Sequence, residues 1–212
     1  MGSRKNLNLS TSQALPLCAF SVNYYEFRLF LQSIFYNLYV MKFKMPVISI
    51  VGRSNSGKTT LIVKLVKELK SRGYKVATIK HSHHHFELDT EGKDSWLHTQ
   101  AGADAVVVAS QNMMGIIRQS SQEIPLTEII SAYLQDVDII IVEGYKTEAI
   151  PKIEVFRSEV SAELVCRDDK NLIAVVGDKR PSVSVPFFHI DDEVSAIVNF
   201  LLNYNARRAE SI

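Results

Sequence analysis

From Pro46 onward the chain alternates short β-branched apolar runs with stretches whose apolar residues recur at helical spacing. The runs Val47–Val51, Lys75–Lys80, Ala105–Ala109, Asp138–Val142, Leu172–Val176 and Pro186–Ile190 predict six strands. Most are continuously apolar, as expected of a parallel sheet covered by helices on both faces. Leu61, Ile62, Leu65, Val66 and Leu69 form a stripe at helical spacing, and Gly73 stands where a C-cap belongs. Lys93–Ala101 predicts a shorter helix closing at Gly102, and Pro125 suits the first turn of a helix through Leu134. Asp191–Tyr204 predicts a final helix whose opening acids suit its N-terminus. Lys152–Phe156 and Glu163–Arg167 read as a two-stranded excursion between sheet strands. The pattern predicts one three-layer α/β domain over 45–212, with a mostly parallel sheet and a small β insertion at about 150–168.

Residues 1–44 do not follow this pattern. They hold Phe20, Tyr24, Tyr25, Phe27, Phe30, Phe35, Tyr36 and Tyr39, and their uncharged run Leu29–Met41 is too short to span a bilayer. No small-residue cleavage site follows it, so it does not read as a signal peptide. Three readings fit: non-native sequence ahead of a start at Met41 or Met45, a disordered tail, or an amphipathic docking helix. The first is preferred, because the domain pattern begins crisply at Pro46. Charge and composition then narrow the partners. Lys plus Arg is 24 against 23 acids, a net charge of +1, so neither nucleic acid nor a membrane is expected as the main partner. Cys18 and Cys166 fit no zinc or redox spacing and read as thiols in a reducing, cytoplasmic setting.

The strongest chemical signal is Gly52-Arg53-Ser54-Asn55-Ser56-Gly57-Lys58-Thr59, which matches G-x-x-x-x-G-K-[ST] at every fixed position. Gly52 and Gly57 allow a tight turn in which consecutive N–H groups surround phosphates. Lys58 reaches the β- and γ-phosphate oxygens, and the Thr59 hydroxyl can coordinate Mg²⁺, with Thr60 following on the helix. That helix also presents its positive end to the anion. The loop follows an apolar strand and precedes an amphipathic helix, the context a P-loop NTPase fold requires.

A second magnesium-side acid is expected at the carboxyl end of another apolar strand, and Glu143 stands there after Ile139–Val142. Asp138 starts that strand and belongs to the wrong end. Lys58 and Glu143 are thus the candidate catalytic groups. His81, His83, His84 and His85 follow the strand ending at Lys80 and should overhang the phosphate site. They could contact an anionic ligand or bind a transition metal. Asp89 and Asp94 could reach magnesium or its waters, and Lys93 a further anion, although helix capping is an equal reading for Asp94. Asp178 closes a strand where its carboxylate could accept both guanine N1–H and the exocyclic amine. The Asn-Lys-x-Asp tetrapeptide common in guanine-binding proteins is absent.

Taken in order, the phosphate loop, Lys80-His81-Ser82-His83-His84, Gly92-Lys93-Asp94-Ser95, Ala101-Gly102-Ala103, Val108-Ala109-Ser110-Gln111, Val142-Glu143-Gly144-Tyr145-Lys146 and Lys152–Arg157 resemble the molybdopterin-guanine dinucleotide biosynthesis protein B (MobB) family. The likeness runs from Pro46 to about Tyr204. His85 departs from it, standing where the family often has Asp. The resemblance implies a GTP-binding homodimer of weak GTPase activity whose partner is the molybdenum cofactor guanylyltransferase. It further implies a role in attaching GMP to molybdopterin, by delivering either GTP or the pterin. A metal-insertion GTPase chaperone and a P-loop small-molecule kinase are the alternative readings, the first motivated by the histidines and the second by the loop.

Overall fold

The first five residues of the predicted domain core, Val47–Val51, form β1, and all five are buried. Their burial on both faces follows from a central place in a sheet, which the computed structural model shows; it describes residues 46–82, 86 and 88–210. The leader, His83, His84, His85 and Cys18 lie outside the described residues. β2 (Val76–Lys80) and β5 (Ile139–Glu143) lie to one side of β1. On the other side lie β6 (Lys152–Phe156), β7 (Leu172–Gly177) and β8 (Phe187–His189), giving the order β2-β5-β1-β6-β7-β8. Every pairing in this sheet is parallel.

Period-two alternation sorts the strand residues between the faces. On one face Ile48, Ile50, Ile141, Ile153, Val155 and Val176 meet Leu61, Leu65 and Leu69 of α1 (Lys58–Ser71) and Ile197, Val198 and Leu201 of α4 (Val194–Glu210). On the other, Val47, Ala77, Ile140 and Val142 pack against Leu126 and Ile130 of α3 (Leu126–Tyr133). Among the described residues no helix covers that second face over β6 and β7. There Val51, Phe156, Leu172 and Val175 are capped by Leu164 and Cys166 of the β6–β7 connection.

Two expectations are corrected. Lys152–Phe156 is no excursion but an inner strand paired with both β1 and β7, and Glu163–Arg167 forms no strand. Ala105–Ala109 does form a strand, β3, but it leaves the main sheet and pairs antiparallel with β4 (Met114–Arg118). The β insertion is therefore this two-stranded ribbon. It follows the short helix α2 (Asp94–Gln100).

The inner position of β6 buries two charges, and each is matched. The Lys152 ammonium reaches Asp169 Oδ2 at 2.8 Å and also donates to the carbonyls of Glu148 and Ile150. The Glu154 carboxylate accepts the N–H groups of Val165 at 2.6 Å and Cys166 at 2.8 Å. Both side chains point to the face covered by the β6–β7 connection, and each ties the backbone or an acid of that connection down. Burial pushes the Glu154 carboxyl up, against the opposing pull of those two amides. It also raises the Cys166 thiol to about 11, with the Glu154 charge adding to the effect, which leaves this cysteine inert as a nucleophile.

Candidate functional site

The loop Gly52–Gly57 leaves the carboxyl end of β1 and feeds α1. A Cβ on Gly52 would lie 2.4 Å from the Val155 carbonyl oxygen and 2.8 Å from Ser56 Oγ, and its φ of +142° suits glycine alone. Gly57 precedes α1 in the left-handed region at φ 98°, turning the chain so that the first helical amides face the loop's hollow. α1 has no side-chain cap and no acid in its first turn, so its positive end is left for an anion.

Lys58 folds back over the loop and donates from Nζ to the Arg53 carbonyl at 2.7 Å. Burial lowers its pKa; Glu143 opposes that shift, while Lys146 and Lys80 reinforce it. An ammonium held below its ordinary affinity for a proton, among other cations, regains stability when a phosphate arrives. The Ser56 hydroxyl is buried without a hydrogen-bond partner inside the same turn. Asn55 also has a positive φ of 62°, whereas Ser54 and Thr60 are exposed along the rim.

Glu143 ends β5 in register with Ile50 of β1 and Lys80 of β2. Its two carboxylate oxygens lie 3.4 and 3.5 Å from Thr59 Oγ1. Those distances exceed a good O–H···O bond, so the Thr59 hydroxyl and the Glu143 carboxylate converge without pairing tightly. Asp138 lies at the opposite end of β5, where Oδ2 accepts the Lys75 N–H at 2.7 Å. Glu143 thus stands at the carboxyl end of β5 and Asp138 at its other end.

The residue after Gly144 supplies a support invisible in the sequence. Tyr145 has φ 51°, unusual for a bulky side chain, and stacks on His81 with ring centroids 4.3 Å apart. His81 Nε2 lies 2.9 Å from Glu123 Oε1, and the His81 amide donates to the Glu143 carbonyl at 3.0 Å. Of the histidine loop, His81 thus braces the end of β5, and its ring is engaged by Glu123 and Tyr145.

Asp178 follows β7 and is held by Ser158. Its Oδ1 accepts the Ser158 N–H at 2.9 Å and its Oδ2 the Ser158 hydroxyl at 2.8 Å. The Ser158 N–H lowers the Asp178 pKa most, so the carboxylate is ionised and oriented. The remaining expected residues sit elsewhere. Lys93 is the N-cap of α2 without a side-chain cap bond, so Asp94 does not cap that helix but stands as the acid of its first turn. Asp89 accepts the Thr90 N–H at 2.8 Å and lines a cavity of about 400 Å³ with Trp96 and Ile117. Among the described residues no group of three or more metal-ligating side chains occurs.

A parallel sheet with a glycine-rich loop at the carboxyl end of its central strand, opening a helix, defines the P-loop nucleoside-triphosphatase class of fold. Residues 47–178 match the family model of molybdopterin guanine dinucleotide synthesis protein B, and the chain belongs to that family. It is 34% identical over 165 residues to the molybdopterin-guanine dinucleotide biosynthesis adapter protein of Haemophilus influenzae, covering 77% of this chain and 92% of that one. It is 35% identical over 169 residues to the Escherichia coli protein of the same description, covering 77% and 95%. A crystal structure of a molybdopterin-guanine biosynthesis protein B superposes with a TM-score of 0.60 at 34% identity, over 74% of this chain and 99% of that one.

Proposed function

We propose that the protein binds GTP with Mg²⁺ at the Gly52–Thr59 loop and hydrolyses it slowly. In this reading it is a cytoplasmic accessory to the attachment of GMP to molybdopterin by the molybdenum cofactor guanylyltransferase. The observation that carries the nucleotide reading is the convergence of Thr59 and Glu143 beside a loop whose buried hydroxyl and helix amides await an anion. The pathway reading is supported by family membership and by the relatives' description as adapter proteins. Among the described residues no helix is long and apolar enough to cross a membrane. Lys58 would neutralise phosphate charge, Thr59 and Glu143 would hold the cation or its waters, and Asp178 would read the base. The cation's chemistry is to neutralise charge on the β- and γ-phosphates. Molybdopterin is the candidate second ligand of the histidine loop, through His83 and His84.

Calorimetry with GTP and ATP, each with and without Mg²⁺, tests this. GTP should bind tighter than ATP and need the cation, and Asp178→Asn should narrow that gap, since an amide turns one acceptor into a donor. Glu143→Gln should leave affinity within about threefold while slowing magnesium-dependent hydrolysis at least about tenfold. Equal binding of both nucleotides would sink the guanine assignment, and undiminished hydrolysis would remove Glu143 from the site.

We further propose that a second copy of the chain covers the β3–β4 ribbon. Val107, Val108, Met113 and Met114 are 58, 53, 75 and 63% exposed there, and both outer strand edges are unpaired within the described residues. An isolated two-stranded ribbon is marginal in water. Val107→Glu with Met114→Glu should convert a dimer to monomer in sedimentation velocity. A mutant sedimenting as the wild type does would refute that interface.

A further inference from the structure

Between β1 and β6 the connections that follow the two strands part to opposite faces of the sheet. α1, which follows β1, packs on one face, whereas the connection after β6 covers the other. Since β1 and β6 are adjacent and parallel, a crevice opens between their carboxyl ends. Ligands of open parallel sheets bind in such crevices. The phosphate loop supplies one wall, and the first residue after β6 on the other is Arg157.

Arg157 is half-buried, and one terminal nitrogen of its guanidinium lies 4.0 Å from where a Cβ on Gly57 would stand. Among the described residues its guanidinium makes no hydrogen bond or ion pair, although the Asp178 carboxylate lies close enough to feel its charge. Its backbone is fixed independently: the Arg157 carbonyl accepts the N–H groups of Val160 and Ser161, each at 3.0 Å, and the next residue is clamped to Asp178. A planar group with five donors, held at a switch-point crevice beside a phosphate loop and satisfied by no acceptor among the described residues, is a ligand-binding group.

Resting on the nucleotide reading above, we infer that Arg157 is a phosphate-binding residue for the α- and β-phosphates of the bound nucleotide. The position separates it from the γ-phosphate. β5, which carries Glu143, and β6, which Arg157 follows, flank β1 on opposite sides. The cation side therefore lies towards Glu143 and Thr59, and Arg157 lies on the Gly57 side, where loop amides cradle the α- and β-phosphates. It also stands between the phosphates and Asp178, so one short segment, Arg157-Ser158, contacts the charge and orients the base reader.

The test is calorimetric titration of the full chain with GTP and with GDP, both with Mg²⁺, for the wild type, Arg157→Ala, Arg157→Lys and Lys58→Ala. Arg157→Ala should weaken GTP and GDP by the same factor, about tenfold to a hundredfold, with the melting temperature of the free protein unchanged. Arg157→Lys should recover part of the loss, because it restores the charge without the fork. A merely structural role would lower the melting temperature and gain nothing from lysine. A loss confined to GTP would move the guanidinium to the γ-phosphate and overturn the assignment. Unchanged affinity in Arg157→Ala, with Lys58→Ala defective, would overturn Arg157 alone. Failure of the wild type to bind either nucleotide would overturn the nucleotide reading along with it.

Discussion

Lys58→Ala is expected to weaken GTP by more than about a hundredfold, close to 3 kcal/mol, while the protein stays folded. Among the described residues the ammonium is bonded to the Arg53 carbonyl, a partner it can exchange for phosphate oxygens. Burial already lowers its pKa, so the charge is poorly solvated and a triphosphate restores what water no longer supplies. Truncation removes that compensation and leaves the γ-phosphate charge without the ammonium. GDP should suffer less than GTP, since the γ-phosphate contact is absent from it. The sign of the pH dependence follows. Because the pKa is lowered, Lys58 loses its proton at a more modest alkalinity than a free lysine, so wild-type affinity should fall as pH rises through that lowered value. A folded Lys58→Ala protein with near-wild-type GTP affinity would remove the loop from nucleotide binding.

How much of this was legible before the structure depends on whether local chemistry or strand order carries the information. β1, α1 and the loop between them are local, and their residue types announce the geometry: Gly52 sits where a Cβ would strike the Val155 carbonyl. Glu143 could be placed beside the loop because the carboxyl ends of parallel strands lie together, and Asp138 accepts the Lys75 N–H at the far end. β6 was misplaced for a physical reason. Lys-Ile-Glu-Val-Phe alternates as a half-solvated strand does, yet Lys152 and Glu154 are 0 and 1% exposed, neutralised by loop groups distant in sequence. β3 failed in the opposite direction: Ala-Val-Val-Val-Ala reads as a buried strand, but it lies in a ribbon with its outer face bare. Arg157 and Tyr145 stand in motifs that carry the family resemblance, but those motifs assign neither a role. Their roles exist only once β6 is known to lie beside β1, and β5 beside both β1 and β2.

The same misplaced strand yields the largest expected loss of stability. Lys152→Ala should destabilise the fold by about 3 kcal/mol or more, read as a drop in denaturation midpoint. The aliphatic stem fills space on the inner strand beneath the β6–β7 connection, and its ammonium satisfies the Glu148 and Ile150 carbonyls as well as Asp169. Alanine leaves a cavity, two orphaned carbonyls and an acid without its counterion. Lys152→Met keeps most of the volume and avoids the cost of burying a charge, so its loss should be about half as large. Burial pushes the Asp169 carboxyl up, but the Lys152 ammonium and Asn171 bring it below the ordinary value. The pair's contribution is thus present above the ordinary aspartate range and lost as pH falls through the lowered pKa. In Lys152→Met that acid-side loss should shrink. Nucleotide affinity should fall in both variants, because Lys152 secures the approach to β6 at Glu148 and the far side of the connection at Asp169, between which Arg157 and Ser158 emerge. An alanine variant losing under about 1 kcal/mol, or a methionine variant no better than alanine, would show that the buried charge and its packing do not set the stability of this inner strand.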